Sequence, residues 1–121
     1  MNSVKKKLSL IILALLREYK HIVPIEVIER ELVKEGASLD TVYSSLIKLE
    51  KDGKIGLIFE VRCPQCDNVL GTYCSIKEIP DILNCYHCSY KFRKRLDLRY
   101  ALRIIIADQK FFRRARSQLC S

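Results

Sequence analysis

The chain has 121 residues, 49% of them apolar and 30% charged, with a formal net charge of +8. That length admits one ordinary domain or two very small ones, and the balance of apolar and charged residues is that of a globular protein, which excludes a disordered chain. The charge is uneven: residues 91–121 carry ten Lys or Arg against Asp97 and Asp108, while residues 1–90 carry twelve basic and twelve acidic residues. The whole net charge therefore belongs to the C-terminal segment.

Lys5-Lys6-Lys7 followed by Leu8 to Leu16 has the charged and apolar parts of a secretory signal. No small-x-small cleavage pattern follows; the run passes into Arg17, Glu18 and Tyr19 and is too short to span a membrane. The chain reads as intracellular and cytoplasmic, with no membrane partner. Residues 3–20 read as a helix, with Leu8, Ile11, Ile12, Leu15 and Tyr19 on one apolar face. Leu10, Leu13 and Leu16 widen that face; with the apolar face of the C-terminal tail this is more than so short a chain easily buries alone, and a homodimer is expected.

Pro24 suits the first turn of a second helix, with Ile25, Ile28 and Leu32 as its stripe and Gly36 as its stop. Ser38 then reads as the N-cap of a third helix, with Leu39, Val42, Leu46 and Leu49 as its core face. It ends near Asp52-Gly53, and the run Ile55 to Val61 is a strand. Three helices followed by a strand have the order of a helix-turn-helix with the start of a wing. The stretch Thr41-Val42-Tyr43-Ser44-Ser45-Leu46-Ile47-Lys48-Leu49-Glu50-Lys51-Asp52-Gly53-Lys54-Ile55 resembles the recognition helix of winged-helix proteins, PadR-like regulators especially. The shared pattern, Thr-x-Tyr-x-x-Leu-x-x-Leu-Glu-x-x-Gly-x-Ile, covers fifteen residues. The resemblance implies DNA binding, with Thr41, Tyr43, Ser44, Lys48 and Lys51 facing the duplex. Residues 38–54 are nevertheless neutral, with three lysines against three acids.

Next come Cys63-Pro64-Gln65-Cys66 and Cys85-Tyr86-His87-Cys88, with eighteen residues between the pairs. Each Cys-x-x-Cys turn presents two thiolates to one point, and two turns face to face complete a tetrahedral Cys₄ shell for one structural Zn²⁺. Such a shell leaves no open position for water or substrate. Val69 to Tyr73 and Tyr90 to Phe92 read as strands of a zinc ribbon, and Ser75 to Leu83 as a connection broken by Pro80. A winged helix followed by a zinc ribbon is similar in architecture to archaeal transcription factor E alpha. Too few residues separate Ile55 from Cys63 for a wing hairpin, so a reduced wing is expected, its strand running straight into the first cysteine turn with 68–73 returning beside it. Cys74 and Cys120 fall outside the metal pattern and read as ordinary thiols.

From Asp97 to Leu119, Leu98, Ala101, Leu102, Ile105 and Phe112 share one helical face, while Arg95, Arg99 and Arg103 recur every four residues. A basic amphipathic helix is expected, although Leu102 to Ala107 is apolar enough for a buried strand. The expected architecture is α+β: a winged helix-turn-helix at 1–60, a zinc ribbon at 61–93 and a basic helix at 94–121. His21 and His87 have no nucleophile near them in sequence and no phosphate-binding glycine loop occurs, which leaves no enzymatic constellation. The expected function is transcriptional regulation on double-stranded DNA, with Arg95, Arg99 and Arg103 adding to the recognition helix. The alternative is a protein-interaction adaptor docking on a transcription or defence assembly.

Overall fold

Apolar spacing in the first fifty residues builds three helices: α1 (Asn2–Glu18), α2 (Ile25–Lys34) and α3 (Leu39–Lys51). The computed structural model describes residues 2–119, with side chains over 6–117. Leu8, Ile12 and Leu16 of α1, Ile28 and Leu32 of α2, and Val42, Leu46 and Leu49 of α3 are buried together. Each such side chain contributes about 1.5–3 kcal/mol when withdrawn from water. Ser38 caps α3, its hydroxyl accepting from the Thr41 N–H at 3.3 Å. Gly53, at φ +73°, takes the left-handed turn that ends α3 and starts β2 (Ile55–Arg62).

The rest of the chain is wound around β2. The first strand, β1 (Ile22–Pro24), lies between α1 and α2; β3 (Val69–Tyr73), β4 (Ile82–Asn84) and β5 (Lys91–Arg93) follow β2. Then come α4 (Lys94–Ala101), β6 (Leu102–Asp108) and α5 (Gln109–Leu119). Four strands form one antiparallel sheet in the order β1-β6-β2-β3, and β4 and β5 form a separate hairpin. The fold is α+β, as expected, and β3 returns beside β2 as expected.

The C-terminal segment departs from the expected single helix. It is helix, strand and helix, and β6 pairs with β2 along seven positions from Ile55↔Asp108 to Val61↔Leu102. The reason lies in which sides of the run must be buried. Alternation sends Ile104 and Ile106 to one face and Ile105 and Ala107 to the other, and both faces are covered. A helix would have left part of this β-branched run in water. Arg95, Arg99 and Arg103 therefore do not share a helix face: α4 ends at Ala101, and Arg103 stands on β6 opposite Glu60.

The β2–β6 pair serves three clusters. On one face, Ile55, Leu57, Ile104 and Ile106 close the core of α1 to α3. Farther along that face, Val61, Phe59 and Leu102 pack with Ile79, Phe92, Leu98 and Ala101. On the opposite face, Ile58, Ile105 and Ala107 lie under Phe112 and Ala115 of α5. At the end of the sheet the His21 imidazole hydrogen-bonds Asp108, whose other oxygen accepts the Phe111 N–H at 2.8 Å and starts α5. Among the described residues no helix is long and apolar enough to cross a membrane.

Gly56 allows α5 its close approach, because a Cβ there would overlap the Phe112 ring. Gly56→Ala is expected to destabilise the protein by about 1–3 kcal/mol in a urea melt, the usual cost of overpacking. The cost should shrink when Phe112→Ala is already present; equal costs in the two backgrounds would show that the ring contact is not the cause.

Candidate metal centre and nucleic-acid interface

The two cysteine turns are built alike. Cys63 to Cys66 follows β2 and Cys85 to Cys88 follows β4, so each turn joins two antiparallel strands. In the first, the Cys63 N–H donates to the Asn68 carbonyl at 2.8 Å, and the Asp67 N–H donates to the Cys63 carbonyl at 2.9 Å. In the second, the Cys85 N–H donates to Tyr90 and the Ser89 N–H to Cys85, each at 2.9 Å. Asp67 and Ser89 take matching left-handed conformations, φ 64° and 66°. The tight reversal points both cysteines of a turn the same way.

The four sulfurs lie within 4.8 Å of one another, with Cys63–Cys88 and Cys66–Cys85 each 3.5 Å apart. A tetrahedral thiolate shell with metal–sulfur bonds of about 2.3 Å has edges near 3.8 Å. The cysteines thus form a candidate metal site, and its donors fit a thiophilic cation. Cys63 and Cys85 are buried, and Cys66 and Cys88 half-buried. Asn68 Nδ2 donates to the Cys66 sulfur at 3.3 Å.

The thiols of Cys85 and Cys88 are pushed in opposite directions. Cys85 is held down at about 6, first by the Cys88 backbone N–H and then by that of His87 and its sulfur neighbours, against burial. The Tyr90 backbone N–H pulls Cys88 down, but burial and the sulfurs of Cys63, Cys66 and Cys85 outweigh it and leave Cys88 at about 12. A bound metal dication would favour the thiolate form of both. Cys74 is disulfide-bonded, not the ordinary thiol expected; Cys120 lies outside the described residues.

The candidate DNA contacts on α3 are not equivalent. Thr41 is half-buried, its hydroxyl sharing a 2.8 Å hydrogen bond with Ser38 in the helix cap. Tyr43 is exposed but donates to Glu29 Oε1 on α2 at 2.9 Å, and this bond, with burial and the charges of Glu29 and Glu26, raises its pKa. Ser44, Lys48 and Lys51 are free on the surface. At 100° per residue the centre of the outward face is Asp40, Ser44, Ile47 and Lys51. Ile47, 54% exposed, went unnoticed in the sequence. Its signal was there, because it stands opposite Val42, Ser45 and Leu49 on the helical wheel.

Arg95 and Arg99 are exposed on α4, Arg99 stacking 4.7 Å over the Tyr100 ring. Arg103 is exposed on β6. Lys110, Arg113, Arg114 and Arg116 are exposed along α5, and Arg113 and Arg116 line a cavity with Glu50 and Gly53 at the end of α3. The described ion pairs are His21–Asp108, Arg30–Glu31, Lys34–Glu31, Arg62–Glu60 and Arg62–Asp67. None uses a cation from 91–116, and all of these cations but Lys94 are exposed.

The purified protein is expected to hold one metal ion per chain, and Co²⁺ in its place should show a tetrahedral thiolate spectrum. Cys66→Ser or Cys88→Ser should lose the ion, and chelation should open residues 63–93 to protease. An unchanged melt after verified metal removal would rule out a structural role. No protein-family model, no curated protein and no solved structure matches this chain.

Proposed function

We propose that this protein is a non-enzymatic, DNA-binding transcriptional regulator of the winged-helix type, carrying a structural Zn²⁺ module within its wing. The observation that carries this reading is the strand order β1-β6-β2 beside α1, α2 and α3. The resemblance in residues 41–55 implies two wing strands after the recognition helix. In this reading β2 and β6 are those strands, and residues 63–101 stand where a hairpin tip would be. The wing is then enlarged by the zinc module and not reduced.

Zn²⁺ suits the four-sulfur donor set and its near-tetrahedral edges, and a filled Cys₄ shell is structural. In the major groove, α3 would offer Ser44 as a hydrogen-bond partner, Ile47 to a thymine methyl, and Lys48 and Lys51 to phosphates. Because α3 itself is neutral, most affinity would come from the unpaired cations of α4 and α5. A homodimer belongs to the proposal on narrower ground than the sequence implied. The tail's Leu98, Ala101, Ile105 and Phe112 are taken up within the chain, while Leu10 of α1 and Tyr19 just beyond it stay exposed.

A protein-docking adaptor is the second reading, favoured by Leu39, Tyr43 and Ile47 exposed at four-residue intervals on a neutral helix. Duplex selection from a random pool separates the two. Ser44→Ala with Lys48→Ala should weaken binding to the selected duplex about 10–100-fold, equivalent to roughly 1–3 kcal/mol. Both residues are exposed, so the thermal midpoint should not move. Failure of the wild-type protein to bind any duplex at low salt would leave the adaptor reading standing.

A further inference from the structure

Residues 91–103 hold six cations, Lys91, Arg93, Lys94, Arg95, Arg99 and Arg103, against the single acid Asp97. Asp97 is fully engaged inside the protein. Its Oδ1 accepts the Tyr90 hydroxyl at 3.0 Å and its Oδ2 accepts the Arg93 N–H at 2.9 Å. Lys94 is also tied inward, its backbone N–H donating to Asp81 at 2.8 Å and its Nζ to the Ile79 carbonyl at 3.0 Å. The remaining cations are unpaired. Lys91 and Arg93 flank buried Phe92 on the outward side of β5, and Arg95 and Arg99 stand one turn apart on α4.

The hydrogen bonds that position the start of α4 come from residues flanking the second cysteine turn, while Leu98 and Ala101 pack on Val61 and Phe92. Tyr90 is two residues beyond Cys88, and Asp81 is four residues before Cys85. The β4–β5 hairpin has only three residues per strand, too few to be stable alone. Its buried anchor is Phe92, in the cluster with Val61, which lies two residues before Cys63. A metal ion bridging the two turns would therefore add to the Phe92 packing that holds the hairpin against β2, and the hairpin contacts the start of α4. By contrast, α5 rests on the far face of the sheet, in a cluster that uses no residue of the cysteine module.

We propose that Lys91, Arg93, Arg95 and Arg99 form a second grip on the phosphates of duplex DNA, and that the bound metal switches this grip on by holding α4 in place. The proposal rests on the duplex-DNA reading above, which already draws on α4, and adds to it the β5 cations and control of the whole surface by metal. Phosphate is the matching chemistry: four cations lie within nine residues with no free carboxylate among them, and guanidinium groups bind phosphate oxygens bidentately. Uptake or loss of one ion would then tune DNA affinity without touching α3.

The test is the salt dependence of binding to a 30-base-pair duplex of random sequence. Each phosphate contact contributes about 0.9 to the slope of log K against log salt. In the Zn²⁺-loaded protein, Arg95→Ala with Arg99→Ala should lower that slope by about 2. Chelation of the wild-type protein should lower it by about 4, and chelation of the double variant by only the roughly 2 that Lys91 and Arg93 still contribute. Hydrogen exchange should rise across residues 82–101 on chelation while α1 to α3 stay protected. A loaded double variant with the wild-type slope would overturn the grip even though duplex binding itself stands. Unchanged exchange in α4 after metal removal would overturn the switch. Absence of duplex binding by the loaded wild-type protein would overturn both this proposal and the reading beneath it.

Discussion

The pairing of β2 with β6 is the constraint on which the other parts of the molecule depend. Seven antiparallel positions join them, and neither strand has a face to spare. Ile55 and Leu57 finish the helical core, and Phe59 and Val61 begin the core of the cysteine module. Gly56 and Ile58 receive α5 on the other side. A one-residue slip in this register would exchange the two faces and expose all three clusters at once. The register is correspondingly well determined by burial alone.

Forming that pair requires the chain to return across residues 63–101. Loop-closure entropy opposes such a return, and each doubling of loop length adds about 0.6 kcal/mol. The excursion is not a passive loop, however. It contains its own buried cluster around Phe92 and Ile79, and its four sulfurs meet within 4.8 Å. A metal ion there would constrain the excursion before β6 docks, shortening the free loop that has to close. In this sense the cysteine module contributes to stability through the sheet that flanks it as well as through its own packing.

Charge is partitioned along the same lines. The part before β5 is neutral and pairs Glu31, Glu60 and Asp67 with neighbouring cations. The part from β5 onward leaves its arginines unpaired and uses its only two acids, Asp97 and Asp108, to hold helices in place. Self-repulsion of this kind lowers stability and is tolerated where a polyanion relieves it. Tyr86, between Cys85 and Cys88, is 102% exposed.

The sequence by itself determined whatever depends on short-range periodicity and on spacing. The three N-terminal helices follow from apolar residues at three- and four-residue intervals, and Ser38 and Gly53 mark their ends by local chemistry. The four cysteines are legible because a Cys-x-x-Cys turn places its sulfurs together without help from the rest of the chain. Only the tertiary structure decided the fate of residues 94–119. Their 3.6-residue periodicity and the four-residue arginine spacing favour a helix, and locally that is sound. What overrides it is the open edge of β2, which offers hydrogen bonds and two apolar surfaces to the run from Leu102 to Asp108. That offer comes from residues more than forty positions away, so no local window contains it. The same holds for Tyr43 and Ile47: neighbours on one helix, they are separated in role by Glu29 on another. Local sequence sets what each segment is able to form, and burial between distant segments chooses among those forms.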